Sequence, residues 1–87
     1  MGELKKLPNI GSELEKVLNL AGIKTAEDLL RTGSQESFIR IKSIDSDACL
    51  CKLYALEGAC QNIRWHHLDK EKKRELKELF DVLQQKK

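Results

Sequence analysis

ACLCKLYALEGAC, from Ala48 to Cys60, is apolar on every side of a helix rather than along one stripe. At about 100° per residue, Cys49, Leu53, Leu56 and Cys60 share one face, Ala48, Ala55 and Ala59 a second, and Leu50 with Tyr54 a third. Only Lys52, Glu57 and Gln61 supply a polar rim. A helix of that pattern is buried on most sides, and the small residues Ala55, Gly58 and Ala59 let neighbouring helices approach its backbone. The segment is predicted to be the central helix of a small bundle on which the rest of the chain packs.

Outward from this helix, the other segments read as shorter amphipathic helices separated by turns. Asp45-Ser46-Asp47 supplies capping residues ahead of the central helix, which is expected to end at Gln61 or Asn62. Ile63 to Leu68 is a connector in which Trp65 is the large apolar residue, expected to be largely buried between helices. Asp69 caps a last helix whose core stripe is Leu76, Leu79, Phe80 and Leu83.

Upstream, Leu7-Pro8-Asn9-Ile10-Gly11 reads as a tight turn, because proline fixes its own φ and disfavours helix at Leu7. Ser12 and Glu15 have the spacing of a capping box. Leu14, Val17, Leu18 and Ala21 then follow helical spacing, and Gly22 closes the helix. Thr25 with Asp28 opens a second helix carrying Ala26, Leu29 and Leu30, and Gly33 stops it. Ser34 is placed to cap a third helix through Ile41. Phe38 to Ile44 alternates enough to suit a strand, but a lone strand has no partner here, so helix is preferred.

Length and composition agree with one small globular domain over residues 1–87, its ends at 1–6 and 84–87 expected to fray. The chain is 40% hydrophobic and 34% charged, with a net charge of +2. Such a balance neither selects nor rejects nucleic acid, so any basic surface must come from the arrangement of charges. No apolar run suits a signal peptide or a membrane span, which leads to the expectation of a cytoplasmic protein that does not engage membranes. Three cysteines there are most simply free thiols.

Taken in order, Leu7-Pro8-Asn9-Ile10-Gly11, Ala21-Gly22-Ile23, Asp28-Leu29, Gly33, Tyr54-Ala55-Leu56-Glu57-Gly58-Ala59, Trp65 and Leu68 resemble the C-terminal domain of the TfoX/Sxy competence regulators. The run from Tyr54 to Ala59 with the downstream tryptophan is the most specific part. The resemblance implies an all-α fold of the helix-hairpin-helix or SAM-domain-like kind. It also implies a link with bacterial DNA uptake and its transcriptional control, and no enzymatic activity.

Candidate chemistry is sparse. Amides at a helix start carry partial positive charge and hold phosphates, so the turn before the first helix, with Lys5, Lys6, Asn9, Ile10 and Gly11, is the candidate nucleic-acid contact. A Ser12/Glu15 capping box and the acids Glu13 and Glu15 oppose it. On the last helix, Lys70, Lys73, Arg74 and Lys77 form a basic stripe beside Glu71, Glu75 and Glu78, and weak intrahelical pairs such as Glu71 with Arg74 are the simpler reading.

Zinc is rejected on spacing. Cys49 and Cys51 diverge by about 200°, and Cys60 lies about 16 Å along the helix from Cys49, whereas ligands must converge on one point. Cys49 and Cys60 are expected in the core. His66 and His67 have no nucleophile motif beside them. No catalytic, cofactor or metal site is assigned.

The expected function is non-enzymatic binding, either to the phosphates of double-stranded DNA or, as a SAM-like module, to a protein of the transcription machinery. Oligomeric state is not readable from the chain. The pattern of the central helix makes Leu56→Ala one of the most damaging single changes, at a cost of about 2–5 kcal/mol. A loss below about 1 kcal/mol in chemical denaturation would instead place that helix at the periphery.

Overall fold

The computed structural model describes residues 4–85, with the side chain of Lys5 outside that description. Its five α-helices are α1 (Ser12–Leu20), α2 (Ala26–Thr32), α3 (Ser34–Ile44), α4 (Leu50–Gln61) and α5 (Lys70–Gln85). Short 3-10 turns precede α1 at Leu4–Lys6 and α5 at Trp65–His67. No strand occurs among the described residues, and Phe38 to Ile44 is helical. The chain is an all-α bundle.

As its apolar pattern requires, α4 is central and packs against α3, α5 and the Trp65–His67 turn. Leu53 and Leu56 are fully buried on it, and Ala55, Gly58 and Ala59 are buried beside them. The core is completed by Leu14 and Leu18 of α1, Leu29 of α2, Phe38 and Ile41 of α3 and Leu76 of α5. Phe38 and Phe80 meet with ring centres 6.0 Å apart and planes tilted by 51°, joining α3 to α5.

Leu4 is also fully buried. Of the ends expected to fray, Leu4–Lys6 therefore forms an ordered turn anchored by an apolar side chain, and Gln84 and Gln85 complete α5. Residues 1–3, 86 and 87 lie outside the described residues.

Two helices end in the same way. Ile23 N–H donates to the Leu18 carbonyl at 2.8 Å and Gly22 N–H to the Asn19 carbonyl at 3.1 Å, with Gly22 at φ +89°. At the end of α4, Ile63 N–H reaches the Gly58 carbonyl at 2.9 Å and Asn62 N–H the Ala59 carbonyl at 3.1 Å, with Asn62 at φ 62°. Both are Schellman motifs, which satisfy carbonyls that the helix end leaves free.

Helix starts depart more from the sequence reading. Thr25 does cap α2, its Oγ1 accepting from Asp28 N–H at 3.0 Å, while the Asp28 carboxylate accepts from Lys24 N–H at 3.2 Å. That backbone bond is the main reason the Asp28 carboxyl titrates below its usual range. The Ser12/Glu15 capping box does not form. Gly11 occupies the cap position, so Ser12 sits one residue inside the helix and makes no capping bond.

Ser34 is shifted in the same sense: Gly33 is the cap of α3, and Ser34 Oγ donates to Glu57 across to α4. Ahead of α4, Asp45 serves its own turn, accepting from Asp47 N–H at 3.1 Å and from Lys52 Nζ at 3.2 Å. Those contacts hold the Asp45 carboxyl below its usual range, Lys52 being the largest cause.

Cys49 is the cap residue of α4, in extended conformation and exposed. The expectation of a core Cys49 fails because the helix starts one residue later, so the position drops out of the helical face. Cys60 is half-buried, and that burial, followed by the nearby Glu57 charge, pushes its thiol up to about 11. Leu30, grouped with the apolar residues of α2, is 57% exposed.

Gly33 ends α2 and begins α3 with no residue between them, at φ 86° and ψ 158°. That region of backbone space is open essentially to glycine alone. Although nothing lies within 4 Å of a Cβ built there, Gly33→Ala is expected to cost about 1–3 kcal/mol by denaturation. An unchanged stability would show that the α2–α3 corner has conformational freedom that this geometry denies it.

Candidate nucleic-acid interface

The turn from Leu7 to Gly11 is held in place by one side chain. Asn9 adopts φ 72°, a left-handed conformation to which asparagine is better suited than most residues. Its Nδ2 donates to the Ile63 carbonyl at 2.9 Å and lies 3.5 Å from the Ala55 carbonyl. Its Oδ1 accepts from Trp65 N–H at 3.2 Å. Ile63 lies just past the end of α4 and Trp65 begins the next 3-10 turn, so these are backbone groups with no helical partner of their own.

Gly58 makes room for this contact. A Cβ at position 58 would stand 2.5 Å from Asn9 Nδ2, 2.8 Å from the Ile63 carbonyl oxygen and 3.1 Å from Trp65 Cα. The absence of a side chain lets the turn and the connector come together over α4.

Around this junction lie basic and aromatic groups from three parts of the chain. Lys6 is exposed in the first 3-10 turn, and Arg64 is exposed beside Trp65. Lys73 of α5 has its ammonium 5.7 Å from the centre of the Trp65 ring. Tyr54 binds the same helix, its hydroxyl donating to the Lys73 carbonyl at 3.4 Å.

Trp65 is half-buried rather than largely buried, because Leu68, at 6% exposure, takes the interior position of the connector. Its ring is nearly parallel to those of Tyr54 (5.7 Å, 22°) and His66 (4.1 Å, 26°).

The pairing of charges sets this face apart. Arg31, Arg40, Lys52, Lys72, Arg74 and Lys77 each have a carboxylate within 4.0 Å. The Arg74–Glu71 pair expected on α5 is among them, at 3.3 Å. Among the described residues, Lys6, Arg64, Lys70 and Lys73 make no ion pair; Lys16, Lys24 and Lys42 are the others, Lys42 being held by the Ser46 and Ala48 carbonyls. The basic stripe read on α5 thus divides into a paired part, Arg74 and Lys77, and an unpaired part, Lys70 and Lys73, of which Lys73 lies over Trp65.

Of the residues assigned to the turn from sequence, Lys6 and Gly11 are exposed, Asn9 is half-buried and engaged with protein, and Ile10 is buried at 6% exposure. The Lys5 side chain lies outside the described part of the structure. Arg64, Trp65, His66 and Lys73 were not connected to the turn by sequence. Their signal was the unpaired Arg-Trp-His run, but no local pattern relates it to Asn9, which is more than fifty residues away.

No group of three or more His, Cys, Asp or Glu side chains suited to a metal occurs among the described residues. A separate cleft of about 450 Å³, lined by Gly33, Ser34, Glu36, Ile39 and Glu57, opens at the start of α3. Its Glu57 is already engaged by Ser34 and Gln61. No described helix is long and apolar enough to cross a membrane.

The model of the TfoX C-terminal domain matches residues 1–80. The chain belongs to the TfoX C-terminal domain family. An uncharacterized protein from Listeria monocytogenes, solved in a triclinic crystal form, is 54% identical and superposes with a TM-score of 0.92 over 93% of this chain and 92% of its own. A structure titled as a Listeria monocytogenes protein of unknown function, in a tetragonal form, is also 54% identical, with a TM-score of 0.89 over 91% and 98% of the two chains. No curated protein matches.

In this TfoX C-terminal domain, Gly58→Ala tests the close approach directly. Helix propensity alone favours alanine by about 1 kcal/mol. The collision with Asn9 and the connector reverses that sign, for an expected net loss of about 1–3 kcal/mol in urea denaturation. A stabilised variant would mean that Asn9 and α4 are not in contact.

Proposed function

We propose that this domain is a non-enzymatic binding module that holds DNA through its backbone phosphates, within the bacterial competence control with which TfoX-type regulators are associated. The cytoplasm is its proposed location. One observation supports the reading above the rest: the Asn9 hydrogen bonds gather Lys6, Arg64 and Lys73, all without ion pairs, around a single turn. Unpaired cations cost least to bring against phosphate, because no existing ion pair has to be broken first.

Backbone amides at Ile10 and Gly11, next to the start of α1, add partial positive charge at the same place. Phosphate contacts position a protein without reading sequence, so binding should be indifferent to base order. Asn9 contributes by setting the turn, Lys6 meets the phosphates with Arg64 and Lys73, and Lys5, its neighbour in sequence, adds to the charge.

A second reading rests on a different observation. Leu20 and Leu30 are 66% and 57% exposed on α1 and α2, a feature suited to a SAM-like module docking a protein of the transcription machinery.

Titration with duplex DNA at two salt concentrations separates the readings. About three phosphate contacts predict a log–log salt slope of about −3, or roughly a 50-fold loss between 50 and 200 mM salt. Arg64→Glu with Lys73→Glu should abolish most of this binding across unrelated sequences, as should Lys5→Glu with Lys6→Glu. Arg31→Glu with Arg40→Glu, an equal charge change on α2 and α3, should retain most of it. Equal losses in all three variants would indicate diffuse electrostatics. No binding by the wild type at about 50 mM salt would favour the protein-docking reading.

A further inference from the structure

The chain has four aromatic residues, and they divide into two unlike pairs. Phe38 and Phe80 meet at 51°, with Phe38 fully buried, as core rings do. Tyr54 and Trp65 meet at 22°, both half-buried, and His66 continues the near-parallel arrangement at 26° while remaining exposed. The interior of this junction is already filled by Leu68, at 6% exposure. Tyr54 and Trp65 pack in part against the core, but closing the core does not account for the exposed third ring of His66.

The backbone that carries two of the rings is also tied down. Trp65 N–H is fixed by Asn9, and the 3-10 turn is closed by His67 N–H to the Arg64 carbonyl at 2.9 Å and Leu68 N–H to the Trp65 carbonyl at 3.2 Å. The Tyr54 hydroxyl ties the far end of the run to α5. Positive charge lies alongside, from Lys73 over the Trp65 ring and from the neighbouring Arg64.

A flat, exposed ring at the end of a stacked run, next to unpaired cations, is what a single-stranded nucleic acid requires of a binding surface. Each unpaired base offers a π-face for stacking, and each phosphate a charge. A base inside a duplex has both faces covered by its neighbours and offers neither to this surface.

We infer that the Tyr54–Trp65–His66 run is a stacking site for an unpaired nucleobase, which extends the run on the exposed ring of His66 while its flanking phosphates meet Arg64 and Lys73. The inference rests on the nucleic-acid reading above and narrows it: the preferred ligand is single-stranded, or a duplex carrying an unpaired end.

Trp65 is the only tryptophan in the chain, so the site reports on itself. The whole chain is titrated at one low salt concentration with three probes of about 12 nucleotides, a length that spans a typical single-strand site. They are a single strand, the corresponding duplex, and a strand of the same length lacking bases. The single strand should quench Trp65 fluorescence and bind at least about 10-fold more tightly than either of the others, the return expected from one stacked base.

His66→Ala should remove about 10-fold of that affinity and leave duplex binding unchanged, and His66→Phe should restore it. Since His66 is exposed, thermal unfolding of both variants should match the wild type. Equal binding of the base-free strand, or duplex binding as tight as the single strand without quenching, would overturn the stacking site while leaving phosphate binding intact. An unaltered single-strand affinity in His66→Ala would overturn it as well. Binding of none of the three probes would overturn both this inference and the reading beneath it.

Discussion

The carboxamide of Asn9 is the contact on which the surface of this domain depends. It joins the turn before α1 to the end of α4 and to the connector, segments separated by 46 to 56 residues in the chain. Few side chains meet all the requirements of the position. The backbone must be left-handed, the side chain must donate to one backbone group and accept from another, and it must be short enough to fit over Gly58. Each hydrogen bond contributes only about 0.5–1.5 kcal/mol net. Leaving the Ile63 carbonyl and the Trp65 amide without partners costs more than the bonds themselves contribute, and so the contact is specific as well as stabilising.

The architecture was largely readable because hydrophobic period and glycine placement are local properties. The encircling apolar pattern of α4 predicted a central helix, and Gly22 predicted the end of α1. Thr25 with Asp28 predicted the start of α2, since donor, acceptor and spacing all lie within four residues. Three caps were misplaced, two of them by a single residue. Ser12, Ser34 and the acids near Asp45 are all good cap formers, but Gly11, Gly33 and Cys49 hold the cap positions. Capping energies of about 1 kcal/mol are smaller than the packing that fixes where each helix sits, and packing chose the register.

The site was less legible for a different reason. The turn itself is legible from Pro8, Asn9 and Gly11, yet the sequence marks Asn9 as a turn former and a candidate phosphate contact, not as the tie to Ile63 and Trp65. Nothing within ten residues of it points to Ile63 or Trp65. The same holds for Lys73, whose place over Trp65 follows from how α5 packs and not from the stripe it shares with Arg74 and Lys77. Sequence reading could find each cation but not which of them the fold would leave without a carboxylate. Family membership fixes the architecture, whereas function lies in the surface that the architecture carries, and here that surface is assembled by a long-range contact.

The most direct test of this account is the stability of Asn9→Asp relative to the wild type as a function of pH. The variant keeps the shape of the side chain and its tolerance of positive φ, but sets a carboxylate oxygen against the Ile63 carbonyl. At pH 7 it should cost about 2–4 kcal/mol. A protonated carboxyl again donates to Ile63, so the folded state raises the aspartate pKa above its unfolded value of about 3.9. The deficit should therefore be smallest below that value and grow as pH rises through the folded pKa. A deficit below about 0.5 kcal/mol at pH 7, unchanged in acid, would contradict the central place given to Asn9.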